Sequence, residues 1–438
     1  MDDLDSAVSA AVLAELARRG IATSGQLQAA LGKSQPTLSR ALRELGSQVA
    51  VLGRQRSARY ALPRGIAGLP AHQPISWTGP DGLAQEWGWL THLAGERVHV
   101  QAPGLDVLTQ GRLPWFLAPW KLQGFLGRLW ARSPAAAGFD SNPERWRVDQ
   151  LLTVLLQQVH DLPGAIGLGP ISAPPLVGAS LDPAQRQAHF DSLADSMAST
   201  LPAGSSAGGE QAKFITADAD GQRHLIVKFT PPRGTPFGER WHDLLHAEAL
   251  ALHTLAAHGV PVASARVIES PRRSYLESTR FDRVGRAGRR HVVPLDAVHD
   301  AFVPGPRHHW AASCELLARR RRLPAEAATQ ARALMQFGRL IGNSDMHFGN
   351  FSLLVDSPDD VARGRFALAP VYDMLPMRWR PDPLSGGVFD WLPFEPELQD
   401  LASPARPIAG EFWQRVEAHT AIGLGLRRLA ATMASRVG

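Results

Sequence analysis

Asp345 and Asn350 stand five positions apart in LIGNSDMHFGNFSLLV, residues 340–355, and an apolar, strand-like run follows them. A carboxylate with an amide five residues on is the D-x-x-x-x-N spacing of a phosphoryl-transfer catalytic loop. The aspartate must meet a substrate hydroxyl, and the asparagine must turn back towards a magnesium ion. Asp373, in APVYDM beside Tyr372, follows the next strand-like stretch, RFALAPV. It is placed to be the main magnesium ligand, because magnesium takes hard oxygens and only one or two carboxylates beside nucleotide phosphates. His347 lies inside the loop and is read as ordering it. Each acid alone is equally an Asx-turn or a helix cap, so the reading depends on what precedes them.

Three segments precede them in the order that chemistry requires. GSSAGGEQAKFITA, residues 204–217, is a Gly/Ser turn running into a strand. Ser206, Ala207, Gly208 and Gly209 would let backbone N–H groups approach phosphate oxygens. The same stretch matches G-x-S-x-G, but a proline precedes it and a strand follows, where a nucleophile elbow needs strand then helix. In HLIVKFTPP, residues 224–232, Lys228 interrupts an apolar strand. An unpaired buried ammonium is costly, so Lys228 must face a rim or an anion. A helix over 241–257 carries Glu248 among Ala and Leu, where it can pair with Lys228 and aim it at a phosphate. The same helix holds HDLLH, with His242 and His246 one turn apart. That spacing suits zinc, but Asp243 is short for the base of a zinc protease helix, and a structural pair is the plainer reading.

These segments need a large framework. The chain has 438 residues, 44% hydrophobic and 20% charged, which suits two to four folded domains and excludes wholesale disorder. No apolar run reaches membrane-spanning length, and the acidic start MDDLDSAVSA is unlike a secretory signal, so the expected location is cytoplasmic with no membrane partner. The single cysteine, Cys314, excludes a disulfide framework. Of 46 basic residues only four are lysines, so each lysine marks a place where a compact charge is of use.

At the amino terminus, helices are expected over 4–19, 24–31 and 34–46, then two short strands within 49–62. Three helices and a basic hairpin make a winged helix-turn-helix. Ser34, Gln35, Thr37, Ser39, Arg40 and Arg43 on the third helix are types that reach base edges and phosphates, and Arg54, Arg56 and Arg59 would form the wing. The net charge of +5 is compatible with DNA as a partner. A Pro/Gly linker is expected at 63–75, a Trp-rich region at 76–160 whose tryptophans are read as core, a helix at 149–159 and a second Pro/Gly connection at 161–185.

The ordered motifs GGEQAKF, LIVKF, ESTRFDR, GNSDMHFGNFSLL and PVYDMLP resemble the HipA family of serine/threonine kinase toxins, and the added helix-turn-helix resembles its YjjJ-like subgroup. The resemblance implies an α+β multidomain chain. Its parts would be a winged helix-turn-helix at 1–64, a linker at 65–75 and a HipA amino-terminal subdomain at 76–185. A kinase N-lobe-like region would follow at 186–285 and a helical C-lobe at 286–438. It implies ATP and Mg2+ as cofactors, Asp345 as catalytic base, Asn350 and Asp373 on the metal, and Lys228 on the phosphates with Glu248 as its partner. Backbone near Thr279, Arg280 and Phe281 would meet adenine. Ser205 or Ser206 would be autophosphorylated. The expected partners are DNA, a protein substrate of the aminoacyl-tRNA synthetase kind and, through the helix-turn-helix, a second copy of the chain. The segment 296–310 departs from the family's acceptor-side pattern. Two other classes stay open on the residues alone: a catalytically silent, nucleotide-sensing DNA-binding regulator, and a magnesium-dependent DNase built on Asp345, His347 and Asn350.

Overall fold

The computed structural model describes residues 2–53, 58–157, 161–171, 185–199, 211–218, 220–382 and 387–438. The amino-terminal unit contains α1 (Asp2–Arg19), β1 (Ile21–Thr23), α2 (Ser24–Leu31), α3 (Gln35–Leu45), β2 (Ala50–Leu52) and β3 (Arg59–Ala61). Thr23 starts α2 through a capping box: its hydroxyl accepts the Gln26 N–H, and the Gln26 side-chain oxygen accepts the Thr23 N–H. Gly32, at φ 61°, ends that helix in the left-handed region. Leu38, Ala41 and Leu45 of α3 close on Val8, Val12, Leu16 and Leu27. The three strands form an antiparallel sheet in the order β1-β3-β2. β1 lies outside the expected hairpin, because three residues are too few to display an alternation.

Next comes a five-stranded antiparallel sheet of β4 (His72–Thr78), β5 (Ala84–Leu93), β6 (Arg97–Ala102), β7 (Leu105–Gln110) and, beyond α4 (Gly124–Trp130) and α5 (Val148–Gln157), β8 (Ile166–Leu168). The order is β7-β6-β5-β4-β8. Two expected connections are therefore shorter than their composition suggests. β4 begins inside the first, where Gln73, Ile75 and Trp77 turn inward. β8 lies inside the second and covers the free edge of β4. Gly88 in β5 has no room for a side chain, since a Cβ there would lie 2.2 Å from the Gln101 carbonyl oxygen. Trp77, Trp87 and Trp120 are buried core.

The following lobe holds α6 (Arg186–Ser199), β9 (Lys213–Ala217), β10 (His224–Phe229), α7 (Pro236–Ala257), β11 (Ala265–Glu269) and β12 (Ser274–Thr279). Its antiparallel sheet runs β11-β12-β10-β9, with α7 packed on β11 and β12. α7 starts five residues before the expected helix: the Thr235 hydroxyl accepts the Gly238 N–H and Pro236 occupies the first turn.

The rest is mostly helical. It comprises β13 (Arg283–Val284), β14 (Gly288–Arg289), β15 (His291–Pro294), α8 (Leu295–Phe302), α9 (Trp310–Arg319) and α10 (Ala325–Leu340). Then follow β16 (Ser352–Val355), α11 (Pro358–Arg363), β17 (Ala367–Leu368), α12 (Leu398–Leu401), α13 (Arg406–Ala418) and α14 (Leu424–Val437). β16 pairs with β15 and β17, which fixes the chain directly after residues 345–350. One apolar core runs from Ile75 of the middle sheet through to Val437, so the middle sheet and the helical lobe share an interior. Among the described residues no helix is long and apolar enough to cross a membrane.

Candidate active site

Lys228 is not on a sheet edge. β10 lies between β9 and β12, and the Lys228 side chain is buried. Its Nζ lies 2.5 Å from Glu248 Oε1 on α7 and also bonds Asp373 Oδ1. Burial pulls the ammonium down, but the Asp373 and Glu248 carboxylates outweigh it and raise its pKa above the usual lysine value. Burial raises the Glu248 pKa, against the pull of Lys228. Asp373 is also penalised by burial, yet Lys228 and Lys213 hold it down to about 2. The lysine charge is thus matched chiefly by Asp373. The second carboxylate oxygen of Glu248 is buried with no hydrogen-bond partner among the described residues.

The loop after α10 is tied down by its own polar groups. Buried Asn343 accepts the Asp345 N–H at 3.0 Å, and the Asn350 side-chain N–H donates to the Asp345 carbonyl at 2.9 Å. His347 Nδ1 accepts the Gly349 N–H at 3.1 Å, and its carbonyl accepts the Trp310 indole N–H at the same distance. These bonds employ backbone and amide groups. The Asp345 carboxylate has no protein partner among the described residues and lines a cavity of about 640 Å³. Lys228, His347, Asn350 and Asp373 line the same cavity. Its size falls in the range of small-molecule sites, roughly 300–1,000 Å³.

Asp373 takes a φ of 52°, in the left-handed region that aspartate tolerates better than most side chains. Its neighbour Tyr372 anchors it: the hydroxyl lies 2.6 Å from Ser352 Oγ and donates to the Gly349 carbonyl at 3.0 Å. The Asn350 amide N–H is engaged, so its oxygen is the free end, and the Asp373 carboxylate shares the cavity wall. Two hard oxygens from separate segments are a donor set that fits magnesium held partly by nucleotide phosphates.

Among the basic residues of the cavity, Lys213 and Arg380 escaped the sequence reading. Lys213 stands directly opposite Lys228 in the β9–β10 register. The available signal was the scarcity of lysine, since half of the chain's lysines are this pair.

Other expected residues sit elsewhere. Thr279, Arg280, Phe281 and Tyr372 do not line the cavity. The Thr279 and Arg280 N–H groups already donate to the Ser264 and His224 carbonyls. The Arg280 guanidinium is turned away into a buried cluster, bonded to Asp282 at 2.9 Å and to Asp161. Phe281 packs on Tyr372 with ring centroids 5.6 Å apart. Ser205, Ser206, Ala207, Gly208, Gly209, Arg54 and Arg56 lie outside the described residues. On the amino-terminal unit, Ser34, Gln35, Arg40, Arg43 and Arg59 are exposed, while Thr37 and Ser39 are half-buried. In HDLLH, His242 donates from Nε2 to the Ala421 carbonyl at 2.8 Å, and its Nδ1 lies 2.6 Å from Ser274 Oγ. His246 bonds Glu269 at 2.9 Å, and burial pushes its pKa down to about 4. The ligand atoms of His242, His246 and Glu269 lie within 4.8 Å of one another, but both nitrogens of His242 are already engaged.

With this geometry in view, residues 205–433 match the HipA-like C-terminal domain, and residues 69–174 match the middle domain of YjjJ-like toxins. Toxin YjjJ of Escherichia coli (strain K12) is 33% identical over 443 residues, covering 97% of each chain. The chain belongs to the HipA-like toxins of the YjjJ type. HipA of Shewanella oneidensis MR-1, solved with HipB and its operator DNA, superposes with a TM-score of 0.52 at 16% identity, covering 83% of this chain and 95% of that one. The HipA-like fold is therefore shared across very different sequences. In this YjjJ-type toxin the matched C-terminal domain contains Lys213, Lys228, Asp345, Asn350 and Asp373. The middle domain contributes Gln123, Gly124, Phe125 and Glu144 to the same cavity.

Proposed function

We propose that this HipA-like toxin is an ATP- and magnesium-dependent serine/threonine protein kinase. The observation that carries the reading is the convergence of Lys228, Asp345, Asn350 and Asp373, from four separate segments, on one cavity. Phosphoryl transfer asks the protein for position and charge more than for covalent chemistry. Lys228 and Lys213 would neutralise phosphate oxygens of ATP. Asp345, with its carboxylate free, would orient the acceptor hydroxyl and take its proton. The hydroxyl oxygen bonds to the γ-phosphorus as the bond to the β,γ-bridging oxygen breaks, and ADP leaves with that electron pair. Asn350 and Asp373 would hold magnesium, which supplies further neutralisation of phosphate charge when bound. Adenine would lie towards Thr279–Phe281, whose 279 and 280 N–H groups already donate to the Ser264 and His224 carbonyls. Autophosphorylation at Ser205 or Ser206 would set about −1.5 to −2 of charge beside the nucleotide phosphates.

The amino-terminal unit supports a winged helix-turn-helix reading through its helix order and its small antiparallel sheet. Arg43, Gln35 and Arg59 would then face DNA. The Shewanella HipA was solved with HipB and operator DNA; here the fused unit would bring DNA contact within the chain.

The experiment uses the full chain, γ-labelled ATP and magnesium. Asp345→Asn is expected to lower label incorporation about 100-fold or more with an unchanged circular dichroism spectrum. Equal labelling by variant and wild type would remove Asp345 as the base. ATP binding without any transfer would point instead to a silent regulator.

A further inference from the structure

A second cavity, of about 490 Å³, adjoins the first: Gln123, Glu144 and Asp296 line both. It lies between the middle domain and α8. The middle domain contributes an apolar wall in which Trp115, Trp146 and Leu151 are partly or wholly withdrawn from solvent. Trp115 is held edge-on by Phe302 and Phe366, at centroid distances of 5.2 and 5.3 Å, so this wall is rigid.

The charges of the cavity are polarised. At the end shared with the first cavity stand Glu144 and Asp296, and the nearest approach of a cation to Asp296 is Arg307 at 4.0 Å. Arg307 is already committed to Asp300, with bonds of 2.9 and 2.5 Å. Arg112 and Lys121 line only the second cavity, are exposed and have no carboxylate partner among the described residues. The groove thus presents acid where it meets the cavity that holds the free Asp345 carboxylate, an apolar wall, and unpaired base among the residues that line it alone.

Such a sequence of charges selects its occupant. A nucleic-acid strand would suit Arg112, Lys121 and the tryptophans, but its phosphates would be repelled by Glu144 and Asp296 at the end that matters. A polypeptide can alternate sign along its length and lay an apolar side chain between. Resting on the kinase reading above, we infer that the second cavity is the acceptor groove. It holds an extended segment of the substrate protein, with a cationic side chain next to the serine or threonine, an apolar one beyond it and a carboxylate farther along. The acceptor hydroxyl is thereby presented to Asp345. The segment 296–310 supplies Asp296, Asp300 and Arg307 to this groove.

The test reads binding without nucleotide. A fluorescein-labelled peptide with Arg beside Ser, then leucines, then aspartates is titrated with the full chain and followed by anisotropy. Saturable binding is expected. Replacing Arg112 and Lys121 together by Glu is expected to weaken it about tenfold or more, and a peptide with lysines in place of the aspartates is expected to bind the double variant better than the wild type. Both residues are exposed, and a thermal melt checks that the variant folds. Three results would overturn the inference: no saturable binding by wild type, equal binding by wild type and double variant, or displacement of the peptide more strongly by an oligothymidylate than by its own unlabelled form. Transfer from labelled ATP is measured separately on the same samples. Peptide binding with no transfer strikes the kinase reading, whereas transfer without peptide binding strikes the groove.

Discussion

Lys213 and Lys228 are cross-strand partners at one register position, so both side chains leave the sheet on the same face. Like charges directly opposite one another are destabilising by up to about 1 kcal/mol. Both line the cavity, and Lys213 contributes to holding the Asp373 carboxylate in its ionised form. Lys228 is matched by Asp373 and Glu248, whereas Lys213 carries no ion pair among the described residues. A cation kept in that position against its own stability is explained by an anionic ligand. Lys213→Met is accordingly expected to weaken ATP binding about tenfold in calorimetry, while the melting temperature stays level or rises. A lower melting temperature with unchanged ATP affinity would make Lys213 a structural residue.

Among the elements, β15 joins the middle domain to the strand that follows residues 345–350, and it does so through a titratable group. His291, at its start, is buried; its Nδ1 accepts the Ala165 N–H at 3.2 Å and its Nε2 donates to the Phe116 carbonyl at 2.9 Å. The bond from Ala165 requires an unprotonated Nδ1 and hence the neutral ring, whereas the bond to Phe116 survives in either form. Burial pushes its pKa down to about 4, against the ordinary histidine value of 6.5. The unfolded chain therefore binds the proton first as pH falls. The stability this ring contributes is complete above pH 6.5 and is lost progressively down to pH 4. In urea unfolding the wild type is expected to lose about 3 kcal/mol over that window from His291. His291→Gln should flatten the slope without abolishing it, because burial holds His246 at about 4 as well. An unchanged slope would mean that the ring is not buried in its neutral form.

The cluster around Asp161 makes a second junction, and its legibility in sequence was poor. Asp161 Oδ1 takes Arg283 at 2.5 Å, its other oxygen takes Arg280, and Asp282 Oδ2 bonds Arg280 at 2.9 Å and Arg283 at 2.6 Å. Burial penalises Asp161, but Arg280 and Arg283 outweigh it and hold the carboxyl at about 2. Asp161→Asn should cost about 3 kcal/mol at pH 7. The difference should shrink as pH drops from near 4 towards 2, where the wild-type carboxylate is itself protonated. Chemical denaturation of both proteins across that range checks it. The Arg280 guanidinium finds Asp161 119 residues away, a separation that leaves no local signal in the sequence. Local signals fared better: the Thr23–Gln26 box and Gly32 delimit α2 at the expected residues, and the interval from Asp345 to Asn350 announces the loop before any contact is known. Three-residue strands such as β1 and β8 carry too little periodicity to be read, and the opposition of Lys213 to Lys228 depends on a register that only the folded sheet defines.

At the scale of the whole molecule, the question is whether the amino-terminal unit swings on its linker. Leu52 and Ala61 of that unit bury against Leu93, flanked by Ile21, Ala50 and Leu108. The connecting chain is bonded to the middle sheet as well: Arg64 donates to the His92 carbonyl at 2.9 Å, and the Ala94 N–H donates to Leu62 at 3.0 Å. The segment read as a Pro/Gly linker is thus largely docked, because an apolar seat and ladder-like bonds outweigh the flexibility of its composition. A docked unit keeps the face of α3 in a fixed relation to the cavity lined by Lys228 and Asp345. Leu108 is half-buried at the margin of the seat, so an aspartate there should weaken docking while sparing the central strands. Under brief trypsin treatment the wild type is expected to resist cleavage after Arg64, an exposed residue whose backbone is bonded to β5. Leu108→Asp should release the amino-terminal fragment several-fold faster, as mass spectrometry of the products would record. Equal rates of release would mean that the seat does not hold the unit, which would then be free to turn independently of the rest of the chain.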